Sequence, residues 1–395
     1  MKETKLWTVP FTMIVLTTFI FFICVQMLTA GFPVYIAGVQ HDTAKAGIMT
    51  TAFMIAAIIT RPFMGALLHK MNMKRTLLIV FAVMTVTLVL SYNQSALSIL
   101  IPLRIIQGIG FGINTTILAT MATNRIPGNR LGEGIGYFGM ATSLGTTLGP
   151  MVALSLLHSF SFNIMIISSV ILMALSFVFA ITVKNLKLSY TPPKGTEKKP
   201  SLLQYAFDSR ALLPVFLVML FYFGFAGIIN FIDGLGKEAN LGSHVSLFFL
   251  INAVIMVVIR PFTGRIYDRF GHKYLVYPGA LCGIIGLVLL SNTYSMPMFI
   301  LAAILYGVAY GIMQPTFQAW AVSRVEVDKR PTANAMTLSF MDLGVALGSL
   351  VLGSIVSHTT FHMMYAYSSL LVVALLILYF FRKTTTQTQK YTVEQ

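Results

Sequence analysis

The stretch that decides the fold is ALSILIPLRIIQGIGFGINTTILATMA, residues 96–122, in which Arg104 is the single charged residue. An α-helix needs about 20 predominantly apolar residues to cross a bilayer, because it rises only about 1.5 Å per residue. This stretch is long enough to do so. It therefore predicts a membrane-spanning helix with one arginine inside it.

The composition of the whole chain agrees with a membrane protein. Of 395 residues, 56% are hydrophobic and only 10% are charged, whereas soluble domains carry about 25% charged residues. The net charge of +15 would suit a nucleic-acid partner, but the basic residues lie in short connections between apolar runs, which excludes one. Cys24 and Cys282 both fall inside apolar runs, so we expect no disulfide framework.

Twelve apolar runs can be recognised, six on each side of a polar, proline-containing stretch. They do not alternate with period 2, which excludes a β-barrel, so the fold class is an all-α membrane protein with two pseudo-symmetric six-helix halves. The predicted spans are 9–37, 46–68, 75–92, 96–122, 132–157, 162–183, 211–235, 244–266, 274–291, 296–322, 333–357 and 362–381. The predicted units are a first half 1–183, a linker 184–210, a second half 211–382 and a tail 383–395.

The distribution of basic residues orients the chain. Of 27 lysines and arginines, only Lys45 and Lys237 fall in odd-numbered connections, and three arginines lie inside spans. The remaining 22 lie at the termini, in even-numbered connections or at the span ends that border these connections. Because cytoplasmic loops carry the excess of basic residues, both termini, the linker and the tail are predicted to be cytoplasmic, in a multi-pass protein of the cell membrane.

The two halves are copies of one another. Adding 199 to positions in the first half aligns identical residues without a gap, including a tripeptide and five glycines. These pairs are Arg61-Pro62-Phe63 with Arg260-Pro261-Phe262, Gly65 with Gly264, Gly108 with Gly307, Gly112 with Gly311, Gly145 with Gly344, and Gly149 with Gly348. Parallel six-helix repeats place a substrate site between the halves, near the middle of the membrane.

Each copy has a glycine-containing basic stretch after its second span. In the second half it reads GRIYDRFGHK, residues 264–273, and in the first half GALLHKMNMKR, residues 65–75. The candidate gating residues are Gly65, His69, Lys70, Arg75, Gly264, Asp268, Arg269 and Gly271. A simpler interpretation is that the basic residues only set the topology.

The second-half stretch resembles the signature cytoplasmic loop of the major facilitator superfamily, and the resemblance covers nearly the whole chain. In that family the acid of this loop caps a helix N-terminus of the other half, where the helix dipole favours negative charge. The resemblance therefore implies this role for Asp268. In the first half His69 replaces the usual Asp and Asn72 the usual Gly, which implies a weaker contact or one made through a neutral imidazole.

Span 4 supplies the first set of candidate site residues. Arg104, Gln107 and Asn114 recur at helical spacing and share one face. A mid-membrane arginine is costly and usually faces a cavity or a partner. The sequence resembles the Arg-x-x-Gln-Gly pattern of proton-coupled members of the family, so we expect Arg104 to contact substrate or to tune a proton site. The alternative is a structural arginine bonded to backbone carbonyls.

Span 5 carries Gly145, Gly149 and Pro150, which resemble the antiporter motif of the drug:proton antiporter branch. Glycines four residues apart allow close helix approach, and proline bends a helix. The second-half copy has Ser349 in place of the proline, an asymmetry that favours export. A plain packing motif remains the alternative, and Glu133, at the mouth of this span, is expected to be solvated.

Other polar residues fall on spans that line the central cavity in the family. In span 11, Asp342 lies roughly 15 Å deep and is a candidate proton carrier, since burial raises the proton affinity of a carboxylate; the alternative is an aspartate bonded to hydroxyl groups. The remaining candidates for substrate binding or coupling are Gln26, Asn230, Asp233, Tyr310, Gln314 and Gln318.

These features predict a monomeric secondary active exporter of a small organic molecule, driven by proton antiport with alternating access. The alternatives are proton-coupled uptake of a sugar or organic acid, export of a carboxylate-bearing metallophore, and a membrane sensor or scaffold without flux. The metallophore is considered because span 1 lacks the acid of many cationic-drug exporters. No catalytic constellation, metal site, cofactor motif or Walker A sequence is found.

Overall fold

The computed structural model describes residues 5–40, 43–68, 71–183, 207–241, 245 and 247–381, and within them it contains helices and no strand. Twelve of these helices are long and apolar enough to cross a membrane. They are α1 Val9–Gln40, α2 Thr43–Leu67, α3 Met73–Leu90, α4 Leu97–Thr123, α5 Leu131–Ser159, α6 Phe162–Thr182, α7 Leu212–Glu238, α8 Leu247–Phe270, α9 Lys273–Leu290, α10 Met296–Ser323, α11 Arg330–His358 and α12 Phe361–Phe380.

The twelve predicted spans are confirmed, and the clearest difference is at the end of span 8. The sequence places this end at residue 266, but α8 continues to Phe270, so most of the signature stretch is helical. The helix ends where Gly271 adopts a left-handed conformation with φ +78° and its N–H bonds to the Tyr267 carbonyl at 2.8 Å. Glycine reaches this conformation without a Cβ clash.

The repeat seen in the sequence is also a repeat of packing. In the first half α1 packs on α5 and α6, α2 on α4, and α3 on α4 and α6. In the second half α7 packs on α11 and α12, α8 on α10, and α9 on α10 and α12. The main helix pairings of the first half therefore recur in the second.

The glycines of the predicted antiporter motif lie between α5 and α1, inside the first half. A Cβ added to Gly149 would lie 2.7 Å from the Gln26 Cβ and 2.8 Å from the Met27 nitrogen, closer than side chains normally approach. Pro150 follows inside the same helix. The two glycines thus allow close packing within one half rather than between the halves.

The two halves meet along two seams. In one, α11 packs against α2 and α4; in the other, α5 packs against α8 and α10. Both seams are tight at the end of the bundle that carries the basic connections, here called the basic end. There every residue from 114 to 123 of α4 and from 311 to 322 of α10 is buried. Toward the opposite end, α5 and α11 expose large apolar side chains such as Met151 and Leu350.

Candidate functional site

A buried ion pair joins the two halves midway along the α2/α11 seam. Arg61 Nη1 contacts Asp342 Oδ2 and donates to the Leu338 carbonyl at 3.1 Å. The guanidinium carbon also lies 5.3 Å from the centre of the Phe111 ring. Arg61 is buried, whereas 25% of the Asp342 side chain is exposed. A carboxylate so placed can be reached by a proton while it holds the halves together.

Arg61 was missing from the candidates drawn from the sequence, as was its repeat mate Arg260. The sequence argument left Asp342 with hydroxyl partners or none, and the structure gives it an arginine of the other half. A signal was available, because Arg-Pro-Phe is the identical tripeptide of the repeat and puts a charge inside two spans. Charged residues at that depth are costly.

Arg260 begins a chain of side-chain hydrogen bonds that runs to the basic end. Its Nη2 donates to Gln314 at 2.8 Å, Gln314 donates to Gln318 at 3.1 Å, and Gln318 donates to Asn334 at 3.2 Å. Asn334 then donates across the seam to Thr123 Oγ1 at 3.0 Å. Gln314 and Gln318, expected to line a cavity, are therefore buried and used within this chain.

Tyr310 lies on the side of Arg260 opposite to this series of hydrogen bonds. Its hydroxyl is 3.0 Å from that of Tyr222 and close to Ser143 of the other half. Its ring centre is 4.4 Å from that of Phe225, and both rings are partly exposed. This combination of hydroxyl groups and partly exposed aromatic faces agrees with the expected cavity position of Tyr310 and suits an amphipathic ligand.

Arg104 occupies a different place from the one expected. It is buried inside the first half, with its guanidinium carbon 4.4 Å from the centre of the Phe53 ring and 5.1 Å from that of Phe32. Its Nη1 donates to Gln107 at 3.1 Å. Asn114 is also buried and directs its amide at Met84 Sδ, 3.9 Å away. The structure does not bring these three residues together with Asp342.

The remaining candidates lie toward the opposite end. Gln26 donates to Thr146 at 3.2 Å, and Asn230 donates to Ser349 at 2.9 Å. Each bond stays within one half, between the helices that pack through the repeated glycines. Asp233 is 78% exposed and lies 3.8 Å from Lys237, which makes it a surface residue in this state.

At the basic end Asp268 closes the α5/α8 seam. One of its carboxylate oxygens accepts from the Gly132 N–H at 2.6 Å and the other from the Glu133 N–H at 2.9 Å. The N-terminus of α5 thus receives an anion, as the helix dipole favours. A Cβ on Gly132 would lie 2.7 Å from the Gly264 carbonyl oxygen, so the two glycines permit this approach.

The expectation of a solvated Glu133 is wrong. This residue is buried, pairs with Arg130 at 2.7 Å, and lies 3.5 Å from Arg265 of the other half. The sequence could not reveal this, because Arg265 and Glu133 lie far apart in the chain and meet only when α8 packs against the mouth of α5. The seam therefore carries a second, ionic contact beside Asp268.

The other gating candidates have local roles. Arg269 lies 5.1 Å from the centre of the Phe270 ring, the Arg75 N–H bonds to Asn72, which caps α3, and Gly65 is buried in α2. His69 and Lys70 lie outside the described residues. Position 331, the repeat mate of Gly132, is Pro331, which has no N–H to donate. The α11 N-terminus therefore cannot offer an acid the donor pair that α5 offers Asp268.

The described residues contain no group of three or more histidine, cysteine, aspartate or glutamate side chains able to hold a metal ion. In the middle of the bundle, the described polar groups between the halves are instead hydroxyls, amides, two arginines and one carboxylate. Such an arrangement can bind a small polar molecule, hold the halves together and accept a proton.

Known proteins resemble this chain over nearly its full length. The Staphylopine export protein of Staphylococcus aureus is 21% identical over 393 residues, covering 98% of both chains. The Staphyloferrin B transporter of Staphylococcus aureus is 20% identical over 396 residues, covering 94% of both. The crystal structure of the human organic anion transporter MFSD10 (TETRAN) superposes with a TM-score of 0.79 at 16% identity, covering 94% of this chain and 98% of that one.

The family model of the Major Facilitator Superfamily matches residues 14–337. This match runs from the second turn of α1 to the first turns of α11 and includes Arg61, Arg260 and the Asp268 contact. Together with the twelve helices and their repeated packing, it shows that this chain belongs to the Major Facilitator Superfamily and is a transporter.

Proposed function

We propose that this transporter is a secondary active exporter of a small organic molecule, driven by inward proton flow. The observation that carries the proposal is the Arg61–Asp342 pair, a titratable contact between the halves in the middle of the bundle. Export is supported by the relative that covers 98% of both chains and is named an export protein. The asymmetry between Pro150 and Ser349 supports the same direction.

The positive-inside rule orients this state. The basic end is cytoplasmic, with both termini on that side, and the protein lies in the cell membrane. The buried basic end and the exposed apolar side chains of α5 and α11 at the opposite end support an outward-open state, and we propose that the transporter works as a monomer.

This orientation can be tested with single cysteines and an impermeant maleimide on intact cells. We expect labelling at outward connections and none at the linker or the tail. The positions for labelling are Ser95, Ser161, Asn292 and Thr359, and the protected positions are Lys194 and Thr386. Labelling of the cysteine at Lys194 would overturn the orientation.

The proton acts on the seam in this proposal. An outside proton reaches the partly exposed Asp342 and neutralises it, and the attraction that holds α2 to α11 is lost. The halves then rock, the basic end opens, and the proton leaves toward the cytoplasm as Asp342 is exposed there. Substrate enters from the cytoplasm, and the Arg61–Asp342 pair re-forms as the transporter returns to the outward-open state. Asp268 must release the N-terminus of α5 in the same step.

The experiment compares the small molecules retained by cells that lack the protein with those retained by cells that overproduce it. Export predicts that some compounds accumulate in the deletion strain and fall in the overproducing strain. Everted vesicles should then take up such a compound only when a proton gradient, acidic inside, is imposed. Compounds that are depleted in the deletion strain and accumulate in the overproducing strain would instead establish the alternative, proton-coupled uptake. Flux that does not depend on the proton gradient would rule out proton antiport.

A further inference from the structure

Arg260 is a buried cation whose hydrogen-bonding capacity is only partly used. The side chain is fully buried and its Nη2 donates to Gln314, but its Nε and Nη1 have no hydrogen-bond partner. Among the described residues, no carboxylate forms an ion pair with it. A charge buried in this way lowers stability unless something else compensates it. We therefore expect a ligand whose charge would compensate that of Arg260.

The repeat shows what kind of ligand is missing from the chain. Arg260 corresponds to Arg61, whose guanidinium bonds to the Leu338 carbonyl and to the Asp342 carboxylate. The repeat mate of Leu338 is Gly139, and a Cβ added there would lie 2.7 Å from Arg260 Nη1. The two guanidinium groups thus sit in equivalent places.

The carboxylate has no equivalent in the other seam. The repeat mate of Asp342 is Ser143, which is neutral. One arginine has its anion built into the protein, and the other has a hydroxyl group at that position. The two seams therefore differ by one negative charge. The uncharged position lies where a substrate in the space between the halves would approach Arg260.

The surroundings of Arg260 also suit an anionic ligand better than those of Arg61 do. Arg61 lies over the Phe111 ring, whereas the repeat mate of Phe111 is Tyr310, whose hydroxyl is close to Ser143 and bonds to Tyr222. Hydroxyl groups can donate to an anion, and a phenyl ring cannot. The partly exposed rings of Tyr310 and Phe225 lie beside them and offer an apolar surface to the rest of a molecule.

We propose that Arg260 binds the anionic group of the transported molecule, with Ser143 and Tyr310 as hydroxyl donors, so that the substrate is a small organic anion with an apolar or aromatic body. The inference rests on the proposed export function for its biological meaning, while its chemistry concerns Arg260 alone. A guanidinium group offers two parallel N–H donors that match a carboxylate. Arg104 is enclosed in the first half by Phe32 and Phe53, so it is not the guanidinium group that binds the substrate anion.

The first test builds the missing charge into the protein. Ser143→Asp places a carboxylate where Asp342 stands in the other seam, and Ser143→Asn is the matched neutral control. We expect the purified, ligand-free Asp variant to melt at a higher temperature than wild type, since Arg260 gains its counter-ion, and the Asn variant to show no gain. A lower melting temperature for the Asp variant than for the Asn variant would show that Arg260 needs no anion.

The second test measures binding with a matched pair of probes, 1-naphthoate and 1-naphthamide, which differ in charge and hardly in shape. We expect the carboxylate to raise the melting temperature of the full-length protein and the amide not to do so. Arg260→Gln and Ser143→Asp should abolish the response, and Arg260→Lys should keep part of it. Arg324→Gln, at the basic end, is the control that keeps the response.

An equal response to the two probes, or a response that survives Arg260→Gln, overturns the proposal, and so does the absence of any response in wild type. The comparison of retained compounds separates this outcome from a failure of the export proposal. If the exported compounds are neutral or cationic, the export proposal is supported and the proposal of an anion site at Arg260 is wrong. Charge-selective, Arg260-dependent binding without any flux keeps the site and removes export.

Discussion

The α2/α11 seam and the α5/α8 seam are related by the sequence repeat, yet they hold the halves together by different means. The first has an ion pair in the middle of the bundle, Arg61 with Asp342. The second has its anion at the basic end, where Asp268 accepts from the N-terminus of α5. The mid-bundle carboxylate thus lies in one seam and the end-of-helix carboxylate in the other.

This difference suggests a division of labour. A carboxylate in the middle of the bundle, partly exposed to the open side, is placed to respond to protons. A carboxylate that caps a helix at the basic end is placed to hold that end shut. In the α2/α11 seam the equivalent positions are Pro331, which has no N–H to donate, and His69, which has no carboxylate.

The largest effect is expected from Asp342→Asn. It leaves Arg61 charged and buried without its partner, a change that costs about 3–5 kcal/mol in buried pairs, and it removes the proposed proton site. We expect a lower melting temperature and no proton-driven flux in everted vesicles. The double variant Arg61→Met with Asp342→Leu should regain stability without regaining flux. Proton-driven transport in the double variant would contradict the role of the α2/α11 seam.

Asp268→Asn should rank second. It weakens two charge-assisted hydrogen bonds, worth about 1.5–3 kcal/mol each for charged partners, and so favours opening of the basic end. Flux should fall by about tenfold or more, since 1.4 kcal/mol corresponds to a factor of ten. A cysteine at Ala319, buried at that end, should become reactive toward maleimide. His69→Ala at matched expression is the comparison, and equal losses would show that the two loops still do the same work.

Arg104→Gln should mainly affect stability. In the structure Arg104 is enclosed by Phe32 and Phe53, where a desolvated cation–π contact contributes on the order of 2 kcal/mol. We expect a lower melting temperature, with the affinity for substrate and the pH profile of flux close to wild type. A selective loss of affinity, partly restored in Arg104→Lys, would return Arg104 to the substrate site and weaken the case for Arg260.

Pro150→Ala should have the smallest effect. The residue follows the glycines that pack on α1, in the part of α5 farther from the basic end. A straighter helix with one more N–H should slow export by about two- to fivefold, an effect below roughly 1 kcal/mol, and leave folding intact. The measurement is the initial rate in everted vesicles beside a Ser349→Ala control. Unchanged rate and coupling would reduce the motif to helix packing.

Much of the fold could be predicted from the sequence because lipid imposes a simple rule on length and polarity. The twelve spans and their repeat follow from it, and the contact of Asp268 with a helix N-terminus follows from the family resemblance. Contacts between residues far apart in the chain do not follow. Arg61 and Asp342 are separated by 281 positions, and no local pattern shows that the two side chains meet.

The same limit explains the misplaced residues. Helical spacing correctly put Arg104 and Gln107 on one face, but spacing cannot say whether that face turns toward the other half or toward α1 and α2. Likewise, Gln314 and Gln318 were candidates for substrate binding or coupling, and only the structure shows that they bond to one another. A sequence gives the face of a helix, and its neighbours decide what that face does.

The row of amides from Arg260 to Thr123 has a direction. Arg260 can only donate, so the Gln314 oxygen must turn toward it and the Gln314 nitrogen away, and each following amide is oriented in turn. The row therefore behaves like a line of dipoles set by the charge at its head. An anion that draws the guanidinium away would release Gln314 to flip, and the reversal could pass along the row to Asn334. Binding of an anion in the middle of the membrane would then change the hydrogen bonding at the basic end, although the anion makes no contact there.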